Sequence, residues 1–262
     1  MSDQADPPFD PADLAPRPGT RLAIVGGCGG IGRALVSAAL KADLRVAVLD
    51  LPASLAAHPA PAGVAAHALD ATCEDQVAAA FAALDRAWGG LDALVNLAGF
   101  MMMRRPFDQT PAGDWRSIVD GSLETTHVVA RAALPLLRRA GGGAIVHTAS
   151  GLAYRVLPGY APYSAAKAGV IALTKAIALE NAPAIRANVI APGAVDTEFL
   201  SGGTGRAGIA TQLDREAYLK TIPLGRLAVA NDVVGPILFL LGGGARYMTG
   251  QVLMINGGGL MP

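Results

Sequence analysis

The stretch RLAIVGGCGGIG, from Arg21 to Gly32, joins a short apolar run to a turn that is rich in glycine. The run RLAIV carries the aliphatic and β-branched side chains that favour a buried strand. The residues after the turn, IGRALVSAALKA, repeat their apolar side chains at the spacing of a helix. A strand, a tight glycine turn and a helix in this order predict the first unit of a parallel α/β sheet.

This alternation continues to the end of the chain. Segments with helical spacing separate the apolar runs, and they include CEDQVAAAFAALDRAW, DWRSIVDGSLETTHVVARAALPLLRRA and NDVVGPILFLL. The pattern is typical of βαβ units, so it predicts one Rossmann-type α/β domain with a doubly wound parallel sheet of about seven strands. The predicted strands are RLAIV, RVAVL, VAAHAL, ALVNLA, GAIVHTA, IRANVIA and QVLMIN.

Two segments lie outside the alternation. Residues 1–19 are rich in Pro and Asp and lack the basic start and apolar core of a signal peptide, so they predict a flexible extension before a domain at residues 20–262. The segment at about residues 196–221 has no clear rhythm, with glycines in its first half and a helical pattern in its second. A long irregular segment of this kind predicts a mobile lid.

Composition narrows the possible partners. The 262 residues include 21 acidic and 21 basic side chains, and no block of Lys and Arg is present, so nothing indicates nucleic acid or an anionic membrane as a partner. Hydrophobic content is 52%, but no apolar run approaches the roughly 18 to 20 residues of a membrane span. The two cysteines, Cys28 and Cys73, indicate neither a disulfide framework nor a metal site. We expect a cytoplasmic protein with a small-molecule partner.

The glycine turn fits two phosphate-binding spacings. Gly27, Gly29 and Gly32 satisfy G-x-G-x-x-G, whereas Gly26, Gly30 and Gly32 satisfy G-x-x-x-G-x-G. Either set lets backbone N–H groups at a helix N-terminus approach a pyrophosphate.

An acid at the end of the second strand indicates which dinucleotide binds. Asp50 lies eighteen residues after Gly32, where a carboxylate can bind an adenosine ribose diol and repel a 2′-phosphate. No basic residue stands in the turn before Gly30 or directly after Asp50. The sequence therefore favours NAD over NADP, although an acid at a strand end can also cap the following turn.

The segment AYRVLPGYAPYSAAK places Tyr154, Tyr160 and Tyr163 before Lys167. Pro162 suits the first turn of a helix, which puts Tyr163 and Lys167 at i and i+4 on one face. A phenol titrates near ~10 and needs a nearby cation to act as an acid or base near neutral pH. Tyr163 is therefore the candidate acid/base, and the alternative is a surface pair on an ordinary amphipathic helix.

Several motifs occur in the order typical of one family. They are GGCGGIG, Asp70 after the third strand, NLAG at residues 96–99, Ser150, YSAAK, APGAVDT and TGQVLMINGG. From about Arg21 to Gly259 the chain resembles the short-chain dehydrogenase/reductase family, which implies an NAD(P)-dependent oxidoreductase.

The resemblance implies a role for each matching residue. Tyr163 corresponds to the general acid/base, Lys167 to the lysine that holds the nicotinamide ribose and lowers the phenol pKa, and Ser150 to the serine that binds the substrate oxygen. Asp70 is expected to touch adenine and Asn96 to line the cofactor cleft, and Val195 and Thr197 are expected to meet the nicotinamide carboxamide. The same motifs place Ile31, Ala98, Gly99, Pro192 and Gly193 at the cofactor.

Three positions depart from the family pattern. Val25 replaces a threonine before the first motif glycine, and Leu97 replaces the second asparagine of N-N-A-G. Ser122 stands where the fourth catalytic residue, an asparagine that helps to hold a relay water, is expected. A serine hydroxyl can hold a water from a shorter side chain, so we expect a reduced or rewired relay.

Substrate contacts are predicted from FMMMRRPF after the fourth strand, from residues 151–160 and from the lid. Met101 and Met102 supply an adaptable apolar wall, and Phe199 in the lid adds an aromatic ring. A methionine run can also be ordinary core packing, but the carboxyl end of a strand favours the cleft. These contacts predict an apolar or aromatic secondary alcohol.

The predicted function is hydride transfer between NAD(H) and a secondary alcohol or ketone. One alternative is an NADPH-dependent 3-oxoacyl or carbonyl reductase, which Asp50 disfavours. The other is a nucleotide-binding protein without turnover, which only Ser122 suggests. The helix after Pro162 is apolar nearly all round and needs burial beyond its own sheet, so, with the family resemblance, it predicts a homotetramer built on this helix and on the one through residues 123–137.

Overall fold

The computed structural model of the protein describes residues 10–261. Seven parallel strands form one sheet in the order β3-β2-β1-β4-β5-β6-β7, which confirms the predicted doubly wound Rossmann-type fold. Each predicted strand is present within about two residues. The bounds are β1 Arg21–Val25, β2 Arg45–Asp50, β3 Ala65–Ala68, β4 Ala93–Asn96, β5 Gly143–Thr148, β6 Ile185–Pro192 and β7 Val252–Ile255.

Eight α-helices connect or follow the strands in the described part of the chain. Their bounds are α1 Gly30–Lys41, α2 Pro52–Ala57, α3 Glu74–Trp88, α4 Ala112–Val119, α5 Thr125–Arg139, α6 Ala161–Asn181, α7 Arg215–Leu219 and α8 Ala230–Leu241. A π-helical turn, Asp120–Glu124, joins α4 to α5, so the single long helix predicted here is three consecutive segments.

Both faces of the sheet are covered, which explains why its strands read as unbroken apolar runs. Ala23 and Val25 of β1 pack with α3 and α5 on one face. Leu22 and Ile24 of the same strand pack with α1 and α8 on the other face. Successive side chains of a strand point to opposite faces, so every position of β1 needs an apolar residue.

The strand order places the main cleft. β1 pairs with β2 on one side and with β4 on the other, so the chain changes direction across the sheet at β1. In open α/β sheets, such a switch point opens a crevice at the carboxyl ends of the strands. The glycine turn after β1 lies at this edge.

The predicted extension and lid have the following structure in the described residues. Residues 1–9 lie outside that range, and the second half of the extension contains a 3₁₀ turn, Pro11–Leu14, that packs against a second one, Gly243–Ala245. The predicted lid contains a 3₁₀ turn, Glu198–Ser201, and then irregular chain up to α7. Among residues 10–261, no helix combines the length and apolarity needed to cross a membrane.

Candidate active site

A cleft of about 460 Å³ opens at the carboxyl edge of the sheet, within the usual range for small-molecule sites. The turn after β1, the ends of β2, β3 and β4, the start of α6 and the lid all contribute to its walls. The cleft therefore unites the predicted dinucleotide segments with the predicted acid/base residue.

Members of both predicted glycine spacings reach the cleft. Gly26, Gly29, Gly30 and Gly32 line it, whereas Gly27 does not. Gly26 has a φ of +81°, and a Cβ on Gly32 would lie 2.3 Å from the Gly26 carbonyl oxygen. Gly27 instead packs on β2, where a Cβ would lie 2.8 Å from Val48. The backbone thus comes close at the N-terminus of α1, as a pyrophosphate site requires.

Asp50 is held in place by the turn that it faces. Its Oδ2 accepts a 2.8 Å hydrogen bond from the Cys28 backbone N–H, and its Oδ1 accepts one of 2.8 Å from Leu51 N–H. A carboxylate has further lone pairs, so it can still accept from a ribose diol. Burial, together with the charge of Asp50, raises the pKa of the Cys28 thiol to about 12, which leaves that thiol unreactive.

Asp70 also lines the cleft beside Asp50. Its Oδ1 accepts hydrogen bonds from the Thr72 backbone N–H at 2.9 Å and from the Thr72 hydroxyl at 2.8 Å. The side chain therefore braces the turn after β3 at the edge of the site.

Asn96 does not line the cleft, and this corrects the role implied by the family resemblance. The side chain is buried; its Oδ1 accepts from Ala98 N–H at 3.0 Å, and its Nδ2 lies 3.4 Å from the Thr126 hydroxyl. Because the amide oxygen and nitrogen both contact protein groups, the Asn96 side chain stabilises the turn after β4 and does not form part of the cleft wall. The other predicted residues of the cofactor set do line the cleft: Ile31, Ala98, Gly99, Pro192, Gly193, Val195 and Thr197.

Ser150 and Tyr163 meet at the closed end of the cleft. Ser150 caps the 3₁₀ turn Gly151–Ala153, where its Oγ accepts from Leu152 N–H at 3.2 Å. Its side chain lies close enough to Tyr163 to lower the pKa of that phenol. α6 begins at Ala161, so Tyr163 lies in the first helical turn. Two hydroxyls placed in this way can bind one substrate oxygen and transfer its proton.

Lys167 lies one helical turn after Tyr163 and is buried. Its Nζ donates to the Thr148 carbonyl oxygen at 2.8 Å and lies 5.6 Å from the centre of the Tyr163 ring. Burial lowers the pKa of Lys167 to about 8. The predicted pairing of phenol and cation on one helix face is therefore present.

The pKa of the Tyr163 phenol is raised, not lowered as the resemblance implied. Burial is the main cause; the nearby Ser150 side chain opposes the rise, and the neighbouring Tyr160 adds to it. The Lys167 ammonium is directed at a backbone carbonyl and is itself short of solvent, so it does not reverse the effect of burial. The neutral phenol is the favoured form.

Ser122 lies in the π-helical turn and is buried. Its Oγ has no hydrogen-bond partner in residues 10–261. A Cβ placed on Gly99 would lie 3.3 Å from Lys167 Nζ and 3.8 Å from Ser122 Oγ, which locates the hydroxyl near the ammonium. A buried hydroxyl without a protein partner is a place where an ordered water binds.

The predicted substrate wall forms an apolar cluster around the phenol. Met101, Met102, Leu152 and Phe199 pack against the group that contains Tyr163. The Phe199 and Tyr163 rings lie 6.2 Å apart between centroids. A substrate oxygen at Ser150 would therefore be attached to a body surrounded by apolar groups.

The other two tyrosines lie further out. Tyr160 lines the cleft and stacks under the Arg104 guanidinium at 5.5 Å, whereas Tyr154 is 42% exposed and lies outside the cleft lining.

Sequence reasoning missed three contributors to this site. Tyr218 in α7 accepts from Ala194 N–H at 2.9 Å and so supports the wall after β6. The Thr148 carbonyl receives Lys167, and Arg206 in the lid lines the cleft. The helical pattern of the lid's second half was a signal for α7, but nothing local in the sequence indicates which residue meets the distant cleft.

Comparison with known proteins agrees with this geometry. Residues 26–259 match the family model described as enoyl-(acyl carrier protein) reductase. Carbonyl reductase family member 4 of Xenopus tropicalis is 32% identical over 244 residues, which span 90% of this chain and 96% of that protein.

Two solved structures from Brucella melitensis have closely similar folds. The first is a short-chain dehydrogenase/reductase with a TM-score of 0.84 and 28% identity, matched over 95% of this chain and 99% of its own. The second is a 3-ketoacyl-(acyl-carrier-protein) reductase complexed with NADH, with a TM-score of 0.85 and 28% identity over 93% and 99% of the two chains. The chain therefore belongs to the short-chain dehydrogenase/reductase family of oxidoreductases, whose members bind a nicotinamide cofactor.

Proposed function

We propose that the protein transfers a hydride between NAD(H) and the carbinol or carbonyl carbon of an apolar or aromatic secondary alcohol or ketone. The observation that carries this proposal is that Ser150, Tyr163 and Lys167 line the same cleft as the glycine turn, with the Lys167 Nζ 5.6 Å from the centre of the Tyr163 ring. The apolar cluster around Tyr163 supports the choice of substrate class.

The chain's own residues would hold the cofactor at both ends. The turn at Gly26, Gly30 and Gly32 receives the pyrophosphate, and Asp50 accepts from the adenosine ribose. Lys167 binds the nicotinamide ribose, and Thr197 meets the carboxamide. When bound, the cofactor supplies the hydride acceptor or donor.

Tyr163 handles the proton of the reacting oxygen. Ser150 donates a hydrogen bond that keeps this oxygen next to the phenol. In the direction of ketone reduction, Tyr163 gives its proton to the oxygen, and in alcohol oxidation it takes that proton back. Because burial raises the pKa of Tyr163, the neutral phenol is ready to donate, whereas the phenolate needs the positive field of Lys167.

Ser122 is proposed to hold a relay water behind Lys167. Its buried Oγ has no partner in the described residues and lies near the ammonium. A water bound there would carry the proton that Tyr163 exchanges, with a serine in place of the asparagine expected at this position.

A second candidate is reduction of a 3-oxoacyl or other carbonyl substrate with NADPH. Two observations favour it: the raised pKa of Tyr163, which suits proton donation, and the likeness to proteins named as carbonyl and 3-ketoacyl reductases. Asp50 opposes the NADPH part, because its carboxylate faces the place of a 2′-phosphate.

Absorbance at 340 nm tests both candidates. The purified protein is mixed with NAD or NADP and a panel of secondary alcohols, and separately with NADH or NADPH and the matching ketones and a 3-oxoacyl thioester. Turnover of apolar alcohols and ketones with NAD(H) supports the first candidate. Turnover confined to NADPH and the thioester supports the second, and binding of nucleotide without any turnover would contradict both.

We also propose a homotetramer and a cytoplasmic location. On the outer face of α6, Ala165, Ala168 and Ala172 are exposed and Leu179 is 82% exposed, which supports burial against another copy. The two cysteines are unpaired thiols, as is usual in a reducing compartment.

A further inference from the structure

A glycine-rich strap forms part of the wall of the cleft. It is the segment SGGTGR, residues 201–206, which follows Phe199 in the lid. The Thr204 carbonyl oxygen accepts a 3.0 Å hydrogen bond from Ser54 Oγ in α2. Gly205 has a φ of +70°, and a Cβ there would lie 2.4 Å from the same Oγ. The strap therefore runs from the substrate end of the cleft to the helix that follows Asp50.

The strap ends in a guanidinium that has no polar partner in residues 10–261. Arg206 lines the cleft, and its Cζ lies 3.8 Å from the centre of the Phe100 ring. The other lid cations are paired: Arg215 with Asp196 at 3.2 Å and Lys220 with Glu216 at 3.1 Å. Arg206 alone among them combines a place in the cleft wall with uncommitted donors.

The groups around Arg206 indicate which part of the cleft its guanidinium faces. Phe100 follows β4, whereas Asp50 and Asp70 follow β2 and β3. Burial lowers the pKa of Arg206, and the charges of Asp70 and Asp50 oppose this fall, so both carboxylates belong to its surroundings. β1 lies between β2 and β4 in the sheet, so the turn after β1 lies between the strand ends that carry Phe100 and these two carboxylates.

We propose that Arg206 binds the pyrophosphate of the dinucleotide from the lid side, opposite the N-terminus of α1. This inference rests on the proposed function, because it requires a dinucleotide in the cleft. A planar guanidinium offers paired donors that match phosphate oxygens, and stacking on Phe100 holds it in one orientation. The phosphates would then lie between backbone N–H groups below and one positive charge above.

A 2′-phosphate is the other phosphate that a cation near Asp50 could meet. The contact of Arg206 with Phe100, which follows β4 on the far side of β1 from Asp50, favours the pyrophosphate, which NAD and NADP share. A residue for the 2′-phosphate would discriminate between the two cofactors, whereas Arg206 is expected to serve both equally.

Isothermal titration calorimetry with NADH, NADPH and ADP-ribose tests the proposal without turnover. Arg206→Gln should raise the Kd of all three by a similar factor of roughly 10, as expected for a lost charge-assisted hydrogen bond. Arg206→Lys keeps the positive charge but lacks the paired donors of the guanidinium, so its Kd values should lie between those of the wild type and those of Arg206→Gln. Arg215→Gln, a lid cation outside the cleft wall, should leave all three Kd values unchanged.

Four results would overturn the proposal. A loss confined to NADPH would assign Arg206 to the 2′-phosphate. An unchanged Kd in Arg206→Gln, with normal binding by the wild type, would remove the residue from the site while leaving the proposed function intact. Tighter binding by the variant would show that Arg206 obstructs the cleft. Failure of the wild type to bind any of the three ligands would overturn this inference and the proposed function together.

Discussion

Lys167 donates a 2.8 Å hydrogen bond from its buried Nζ to the carbonyl oxygen of Thr148. The ammonium is thus anchored to the end of β5 while it lies one turn from Tyr163 on α6. Burial lowers its pKa from 10.5 to about 8, so keeping this charge in the folded protein lowers folding stability.

The pH dependence of stability should reveal this buried charge. The unfolded chain binds the lysine proton more tightly than the folded chain, so Lys167 lowers stability fully below pH 8, and this penalty is relieved as pH rises toward 10.5. Lys167→Met should therefore raise the free energy of unfolding at pH 7 by up to ~3 kcal/mol, the energy of the pKa shift. Urea unfolding at pH 7 and pH 9.5 should show the difference shrinking.

The exposed Lys175 on the same helix provides the control. Lys175→Met should give the same small change at both pH values. A Lys167→Met effect that stays constant between pH 7 and pH 9.5 would contradict the buried charge.

Tyr163→Phe should lower kcat by at least ~10²-fold, the lower end of acid/base contributions. The ring and its contact with Phe199 remain, so the Kd for NADH should change little. Steady-state kinetics and calorimetry measure the two quantities separately.

Tyr154→Phe and Tyr160→Phe are matched controls, because each removes one tyrosine hydroxyl that does not share the helix face of Lys167. They should alter KM at most. If Tyr160→Phe is inactive while Tyr163→Phe keeps its activity, the acid/base is Tyr160 and the assignment to Tyr163 is wrong.

Cofactor preference should follow the charge of Asp50. We expect kcat/KM to be at least ~10-fold higher with NAD than with NADP, about the ~1.4 kcal/mol of one modest electrostatic clash. Asp50→Asn keeps an acceptor for the Cys28 N–H but removes the charge, so it should narrow the ratio toward 1. Equal use of both cofactors by the wild type would rule out the preference. The comparison is informative because the positive charge of Arg206 lies in the surroundings of Asp50 and opposes the effect of its negative charge on a 2′-phosphate.

Two substitutions at Ser122 should distinguish a role of its hydroxyl in proton relay from a role in packing alone. Ser122→Ala removes an Oγ that bonds to nothing in the described residues, so stability should be nearly unchanged while kcat falls if a relay water binds there. Ser122→Asn should hold or raise kcat. Unchanged kcat in Ser122→Ala, measured across pH 6 to 9, would leave Ser122 without a part in proton transfer.

The assembly should depend on the outer face of α6. Multi-angle light scattering of the wild type should show a particle several times the 26.6 kDa chain mass. Leu179→Asp places a charge on the exposed apolar face and should shift the protein toward smaller species. Leu224→Asp, at another exposed leucine, should not, and a wild type of monomer mass would remove the proposal.

The fold was accessible from the sequence because its signal is local. A strand buried on both faces, such as β1, must be apolar at every position, and this leaves a readable run. α2 was not predicted, because six residues that begin with Pro52 are too short to show a helical period. The π-helical turn at Ser122 was invisible for the same reason.

The site was accessible only in part. Tyr163 and Lys167 could be paired from the sequence because one helix turn after Pro162 positions both, whereas Ser150 came from the family resemblance. Asn96 was misplaced, since its neighbours in sequence line the cleft while its own side chain turns below it. Arg206 was missed because its contact with Phe100 joins residues that are far apart in the chain.

The strap, whose Thr204 carbonyl accepts a hydrogen bond from Ser54, connects the two ends of the cleft. It covers the adenosine end through Gly205 and continues from Phe199 at the substrate end. We expect the strap to move as one segment, so that breaking the 3.0 Å hydrogen bond from Ser54 to Thr204 would open the two ends of the cleft together. A side chain at position 205 would clash with Ser54. It should therefore weaken the contact between the strap and α2, so that the cofactor and the product dissociate faster.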